Sequence, residues 1–195
     1  MKGMFSFMKA VILNGSNENE NPLNTWEKLI VEILDNYGWQ VETVELRNKK
    51  LATCIGCFGC WIKTPGECIL KDEGREICKA VARSDLLVLL TPLTFGGYSF
   101  ELKKMMDRLI PNLLPLFTKI NGEMHHKTRY EKKPKLLAIG YNFQHDEESE
   151  RIFKELVHRN ALNMDNPTSY VEVVAGEVND ITVGEEILRN IEVIS

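Results

Sequence analysis

Short unbroken apolar runs alternate along this chain with stretches in which apolar residues return every three or four positions. Ala10-Val11-Ile12-Leu13 is one such run, and it empties into Asn14-Gly15-Ser16-Asn17, as a strand covered on both faces does when it meets a loop. Leu23, Trp26, Ile30, Ile33, Leu34 and Tyr37 follow at helical spacing, with Asn21 placed to cap, Pro22 in the first turn and Gly38 just past the end. Trp39 to Leu46 alternates as an outer strand does, through Trp39, Val41 and Thr43, with Leu46 after a shift.

Residues 72–82 predict a second helix with Ile77, Cys78 and Val81 on its inner face. Leu86 to Leu90 is the strongest buried strand, stopped at Thr91-Pro92. The spacing of Leu102, Met105, Met106 and Leu109, against Glu101, Lys103, Lys104 and Asp107, predicts a third helix over 98–110. Residues 136–141 predict a fourth strand, 147–162 a fourth helix, 170–175 a fifth strand and 185–194 a short closing helix.

One region does not fit the alternation. Pro111 and Pro115 break the apolar piece Leu113 to Phe117, which reads as an intersubunit patch or a core plug, and residues 118–134 are polar and basic. That is long for a connection, so a lid or contact loop is expected, with His125 and His126 facing solvent. His145 and His158 carry no signal.

Strands alternating with helices imply a parallel, doubly wound sheet, because parallel strands need helical crossovers. Ligands in such sheets sit at the carboxyl ends of the strands. The loops at 14–25, 91–99 and 140–146 therefore matter, and the segment after the second strand opens at the same edge.

Composition narrows the partners. A length of 195 residues suits one domain over 1–195, with 1–7 a ragged lead, 111–134 a long connection or lid and 176–195 a tail. A net charge of -4 provides no field to gather nucleic acid or an anionic membrane, so neither is an expected partner. The first eight residues hold Phe5 and Phe7 but no apolar run of signal or membrane-span length, and the expected location is cytoplasmic.

Four of the five cysteines, Cys54, Cys57, Cys60 and Cys68, lie within fifteen residues, the first three spaced C-x2-C-x2-C across Gly56 and Gly59. In a reducing compartment such clusters are metal ligands or redox groups more often than disulfides. Four thiols could bind tetrahedral zinc, although the short spacing leaves little room for zinc knuckles. Cys78, on an apolar helix face, reads as a small buried hydrophobe.

The first loop, from Asn14-Gly15-Ser16-Asn17 to Asn24-Thr25, offers hydroxyls, amides and a helix N-terminus that suit a phosphate, and serves equally as ordinary capping. It lacks Lys and Arg, carries Glu18 and Glu20, and is neither a Walker loop nor G-x-G-x-x-G. The third-strand loop, Thr91-Pro92-Leu93-Thr94-Phe95-Gly96-Gly97-Tyr98-Ser99, has a stiff entry and two glycines that admit close approach of a flat ligand such as a flavin. The same spacing also describes a hairpin-like connection with a buried phenylalanine.

In combination these residues resemble a family. Asn14-Gly15-Ser16 with Asn24-Thr25, the four cysteines with Lys71-Asp72, Ser84-Asp85, Thr91 to Phe95, Ser99, Lys103 and Asp107-Arg108 are similar to the flavodoxin-like NAD(P)H-dependent FMN reductases, and within them to the iron-sulfur flavoproteins, over about residues 8–145. The resemblance implies a flavodoxin-like α/β fold, a doubly wound five-stranded parallel sheet in order 2-1-3-4-5. It implies FMN with its phosphate near Ser16, Asn17, Asn24 and Thr25 and its ring against Pro92, Leu93, Thr94, Phe95 and Gly96. It implies a [4Fe-4S] cluster on Cys54, Cys57, Cys60 and Cys68, although many relatives in the broader group keep similar cysteines without one. NAD(P)H as co-substrate, a redox partner protein or small-molecule acceptor, and a homodimer or homotetramer are also implied. The chemistry would be the cofactor's, with no side chain acting as acid or base. Three departures stand out: Glu18 where a basic residue is usual and Leu23 where glycine is, Thr94 where the loop usually has tyrosine, and Asp72-Glu73 in place of two aspartates. The first is expected to weaken the phosphate site.

Overall fold

A computed structural model describes residues 7–17, 22–143, 146–166, 168–175, 181–190 and 192–194. Asn21, the expected helix cap, together with Glu18, Glu20 and His145, lies outside the described residues.

The apolar runs form the strands expected of them. β1 (Lys9–Asn14), β2 (Gln40–Glu45), β3 (Leu86–Pro92), β6 (Lys135–Tyr141) and β7 (Ser169–Val174) make one parallel sheet in the order β2-β1-β3-β6-β7. With the intervening hairpin set aside, this is the flavodoxin-like order 2-1-3-4-5. The strand period of two sends Ala10, Ile12, Val88 and Leu90 to one face and Val11, Leu13, Leu87 and Leu89 to the other, and each set is buried in a separate core. On the first face lie α1 (Pro22–Asn36) and α6 (Ile181–Asn190), whose Ile187 and Leu188 pack with Ile30 and Ile33. On the second lie α3 (Gly74–Arg83), α4 (Phe100–Met106) and α5 (Glu147–Asn163). A one-turn helix, α2 (Gly59–Ile62), sits inside the cysteine segment.

Several boundaries differ from the sequence expectation for local reasons. β3 runs on through Thr91 and ends at Pro92, which needs no N–H at the strand end, and Leu93 N then donates to Tyr141 O at 2.8 Å in the adjacent strand. The third helix begins at Phe100 instead of Tyr98, because the Ser99 hydroxyl accepts from Leu102 N, and it tightens into a 3-10 segment over Asp107–Asn112. Thr43 is exposed and Val44 takes the buried place in β2.

The largest difference is in the region expected to be a loop. β4 (Leu113–Ile120) and β5 (Glu123–Thr128) form an antiparallel hairpin, with the register broken between Leu113 and Phe117 around Pro115. It is tied at both ends. Arg129 Nε donates to Pro111 O at 2.8 Å, and Arg159 on α5 forks onto Glu123 at 2.6 and 2.9 Å. His125 is buried, pairing through its two ring nitrogens with Asn163 and Glu123, and His126 is half-buried between Trp61 and Phe117. The expectation of solvent-facing histidines is therefore corrected. Leu116 and Phe117 are exposed, so this piece is not a core plug.

Candidate functional site

The switch point of the sheet, where connections leave in opposite directions, lies at the carboxyl ends of β1 and β3. Its walls are locked together by one short network. Gly15 N donates to Leu90 O at 2.8 Å, the Ser99 hydroxyl donates to Gly15 O at 2.6 Å, and Ser99 N donates to Thr91 Oγ1 at 2.8 Å. A β-carbon at Gly15 would stand 2.6 Å from Leu102 Cβ and 2.7 Å from Ser99 Oγ, which explains the glycine. Asn14, fully buried, aims its amide at α1, donating to Asn24 Oδ1 at 3.1 Å and Glu27 Oε2 at 2.6 Å, while its Oδ1 accepts from Ser16 N. Ser16 is thereby fixed and buried. Asn17 is exposed beside it, and Asn24 and Thr25 are half-buried in the first turns of α1.

Reading the loop alone misses the residue that gives this corner its charge. Arg47, from the 3-10 turn after β2, donates from Nη1 to Ser16 Oγ at 2.9 Å, and its Nη2 is held by Glu45 at 3.0 Å. The first loop has no cation of its own, but the neighbouring strand delivers one. The only sequence signal is the position of Arg47 just past the carboxyl end of the strand next to β1.

The second wall is the turn after β3. Thr94 and Gly97 exchange backbone hydrogen bonds at 3.0 and 2.8 Å around Phe95 and Gly96, both at positive φ, +50° and +74°. Gly96 is pressed on Ile152, where a β-carbon would stand 2.7 Å away. Phe95 is 97% exposed, which corrects the alternative of a connection that buries its phenylalanine. The ring thus stands in solvent on a left-handed backbone, a conformation that costs a non-glycine residue free energy.

Farther along the chain, the cysteine segment spans the region between β2 and α3. Cys54, Cys57, Cys60 and Cys68 line a single hollow with Ile55, Phe58, Leu70 and Ile110, and none is in a disulfide. Burial pushes the Cys60 thiol up, and the nearness of Cys68, Cys54 and Cys57 adds to it, so the four sulfurs share one electrostatic neighbourhood. Left-handed backbone at Gly56 and Phe58 turns the segment between thiols. Among the described residues no three His, Cys, Asp or Glu side chains are grouped to hold a metal ion, so the four are thiols around a hollow and not a closed shell. Cys78 is separate: buried, its Sγ on Asn112 Oδ1 at 3.2 Å, its pKa pushed up to about 12 by burial.

Two anchors hold this segment. The Trp61 indole donates to Leu113 O at 3.0 Å and stacks on Phe58, fastening α2 to the hairpin. At the other anchor, Arg108, whose side chain is 1% exposed, grips Asp72 at 2.6 and 2.8 Å and donates to Ala52 O at 2.7 Å. Asp72 in turn accepts from Ala52 N and Gly74 N. One ion pair thus closes both ends of the cysteine segment, and these bonds hold the Asp72 carboxyl down to about 2.

A family model described as NADPH-dependent FMN reductase matches residues 8–173. The chain belongs to the NADPH-dependent FMN reductase family. Membership supports FMN and NAD(P)H as its cofactors. An iron-sulfur flavoprotein of Methanocaldococcus jannaschii is 34% identical over 104 residues, covering 53% of this chain and 53% of that one. One from Archaeoglobus fulgidus is 32% identical over 104 residues, covering 53% of this chain and 46% of that one. The match therefore spans about half the length of these curated relatives. Among solved structures, a NAD(P)H:quinone oxidoreductase from Methanothermobacter marburgensis has a TM-score of 0.66 at 18% identity, over 95% of this chain and 94% of that one. An FMN-dependent NADH-azoreductase from Bacillus anthracis in complex with FMN has a TM-score of 0.57 at 15% identity, over 94% and 96%. These likenesses establish the fold. No helix among the described residues is long and apolar enough to cross a membrane.

Proposed function

We propose that this chain is an FMN-dependent oxidoreductase that moves electrons from NAD(P)H, or from a redox partner, to an acceptor, with a [4Fe-4S] cluster on Cys54, Cys57, Cys60 and Cys68. The observation that carries the flavin half is the Arg47 guanidinium on the Ser16 hydroxyl, beside the α1 N-terminus. A cation, a buried hydroxyl and a helix end converging on one corner are what a phosphate monoester requires.

Ser16, Asn17, Asn24 and Thr25 would hold that phosphate, with Arg47 neutralising it and Glu45 keeping the guanidinium aimed. Pro92, Leu93, Thr94, Phe95 and Gly96 would flank the ring system: the tight turn fixes backbone polar groups at its edge, and the exposed Phe95 ring offers the aromatic surface that Thr94 lacks. When bound, FMN supplies hydride and single-electron chemistry, and the cluster supplies single-electron steps. The protein's part is to bind, orient and exclude water, and no side chain is assigned a proton.

The cluster half is supported by the four unpaired thiols around one hollow, by the ion pair that closes their segment, and by the names of the relatives. Cys54, Cys57, Cys60 and Cys68 would supply the four thiolates that such a cluster needs. Exposed Ile55, Phe58 and Ile62, beside Leu116 and Phe117 of the hairpin, support association with a second copy of the chain.

Anaerobic purification followed by the visible spectrum and iron assay tests both halves. The expected protein carries flavin together with iron and sulfide in cubane proportion. Dialysed protein that neither stays yellow nor quenches FMN fluorescence would refute the flavin assignment, and flavin without iron would refute the cluster.

A further inference from the structure

A cavity lies away from the site proposed for the flavin. Its rim includes Ala82 in the last turn of α3, Pro134 just before β6 and Met164 just after α5. These positions are at the amino edge of the sheet, a strand length or about 20 Å from the loops that follow β1 and β3. At about 430 Å³ it falls within the range of small-molecule sites.

Its chemistry is specific. Met106, Ile110, Leu113 and Leu156 are half-buried apolar side chains that face the space instead of closing over it. Around them stand Lys103, Lys132 and Lys133 against a single lining aspartate, Asp107. Each lysine has one carboxylate partner, Asp107, Asp85 and Asp165 respectively, which leaves further N–H donors on every ammonium. Asn160 and Asn163 line the α5 wall, the first held by Tyr98 and the second by His125. An apolar floor ringed by ion-paired ammoniums with N–H donors to spare and by oriented amides suits a mostly apolar molecule that carries one anionic acceptor group. The hairpin forms the roof through His126 and Thr128, which gives its tethering to α5 a use beyond packing.

We infer that this cavity is a second small-molecule site, separate from the site proposed for FMN, for a mostly apolar ligand bearing a single anionic group. A bound ligand would lie next to the cysteine hollow, because Ile110 lines both spaces. The inference does not depend on the flavin or the cluster.

Calorimetric titration of the full chain, saturated with FMN, with anilinonaphthalene sulfonate tests it. Saturable binding at one site is expected, with the same affinity whether or not FMN is present. Ala82→Trp and Leu156→Trp fill the cavity from opposite walls and should each weaken binding at least about tenfold while FMN binding persists, which reports the fold. Combined Lys103→Gln and Lys132→Gln should weaken it about fivefold, as two solvated charge contacts would. Absence of saturable heat, displacement by FMN, or unchanged affinity in an occluding variant that still binds FMN would overturn the inference.

Discussion

Arg47 donates a hydrogen bond to the Ser16 hydroxyl at 2.9 Å, across a separation of 31 residues. This contact supplies a positive charge to the corner proposed for the phosphate, whose own loop has none. A charge-assisted bond of this kind is worth about 1.5–3 kcal/mol. Arg47→Ala is therefore expected to weaken FMN binding roughly 10- to 100-fold. Riboflavin, which has no phosphate, should bind both proteins alike, and fluorescence quenching by each flavin measures the difference.

Phe95 is expected to matter to the flavin and not to the fold. It buries almost nothing and strains its own backbone, so Phe95→Gly should leave the melting temperature unchanged or raise it slightly. Loss of an aromatic surface worth about 0.5–1.5 kcal/mol should weaken FMN roughly three- to tenfold. Thermal melts and flavin titrations on the same preparation separate the two effects.

Gly15→Ala is expected to act on both. The added carbon meets Leu102 Cβ and Ser99 Oγ, so either the β1 loop or α4 must move, at a cost of about 1–3 kcal/mol. Urea unfolding should show the loss of stability, and FMN affinity should fall with it because Ser16 is carried on the displaced loop.

Asp72 and Arg108 give the protein an acid-sensitive clasp. The folded Asp72 carboxyl lies at about 2, below its ordinary 3.8, so its contribution is complete above pH 3.8 and lost as pH falls toward 2. The depression corresponds to about 2 kcal/mol. Asp72→Asn should be less stable than wild type at pH 7, and the gap should narrow through that window in urea titrations. Arg108→Ala, which leaves the half-buried Asp72 carboxylate without its ion pair and frees Ala52 O, should cost about 1.5–3 kcal/mol and loosen the segment proposed to hold the cluster.

Much of this was legible in the sequence. Runs such as Leu86 to Leu90 are apolar at every position because both sheet faces are covered, and that feature is local, so five strands could be inferred, while their order came from the family resemblance. The four cysteines, Ser16 and the Thr94 turn were visible for the same reason. Arg47 was not, because its role arises from parallel pairing of β1 with β2, which sets Asn14 beside Glu45. The hairpin was hidden by its composition: Pro115 interrupts the alternation at the register break, and His125 is buried only because Asn163 and Glu123 take up its nitrogens. Arg108 was recognisable as part of a motif, but its closure of the cysteine segment over 56 residues was not.

The central claim is that a flavin at the carboxyl-edge crevice is reduced by a nicotinamide nucleotide. Anaerobic addition of NADPH or NADH to the FMN-loaded protein, followed in the visible flavin band, tests it most directly. The account predicts bleaching by at least one nucleotide and recovery of colour when an electron acceptor is added. An intact holoprotein whose flavin stays oxidised with both nucleotides would contradict it and make the chain an electron carrier instead of a reductase.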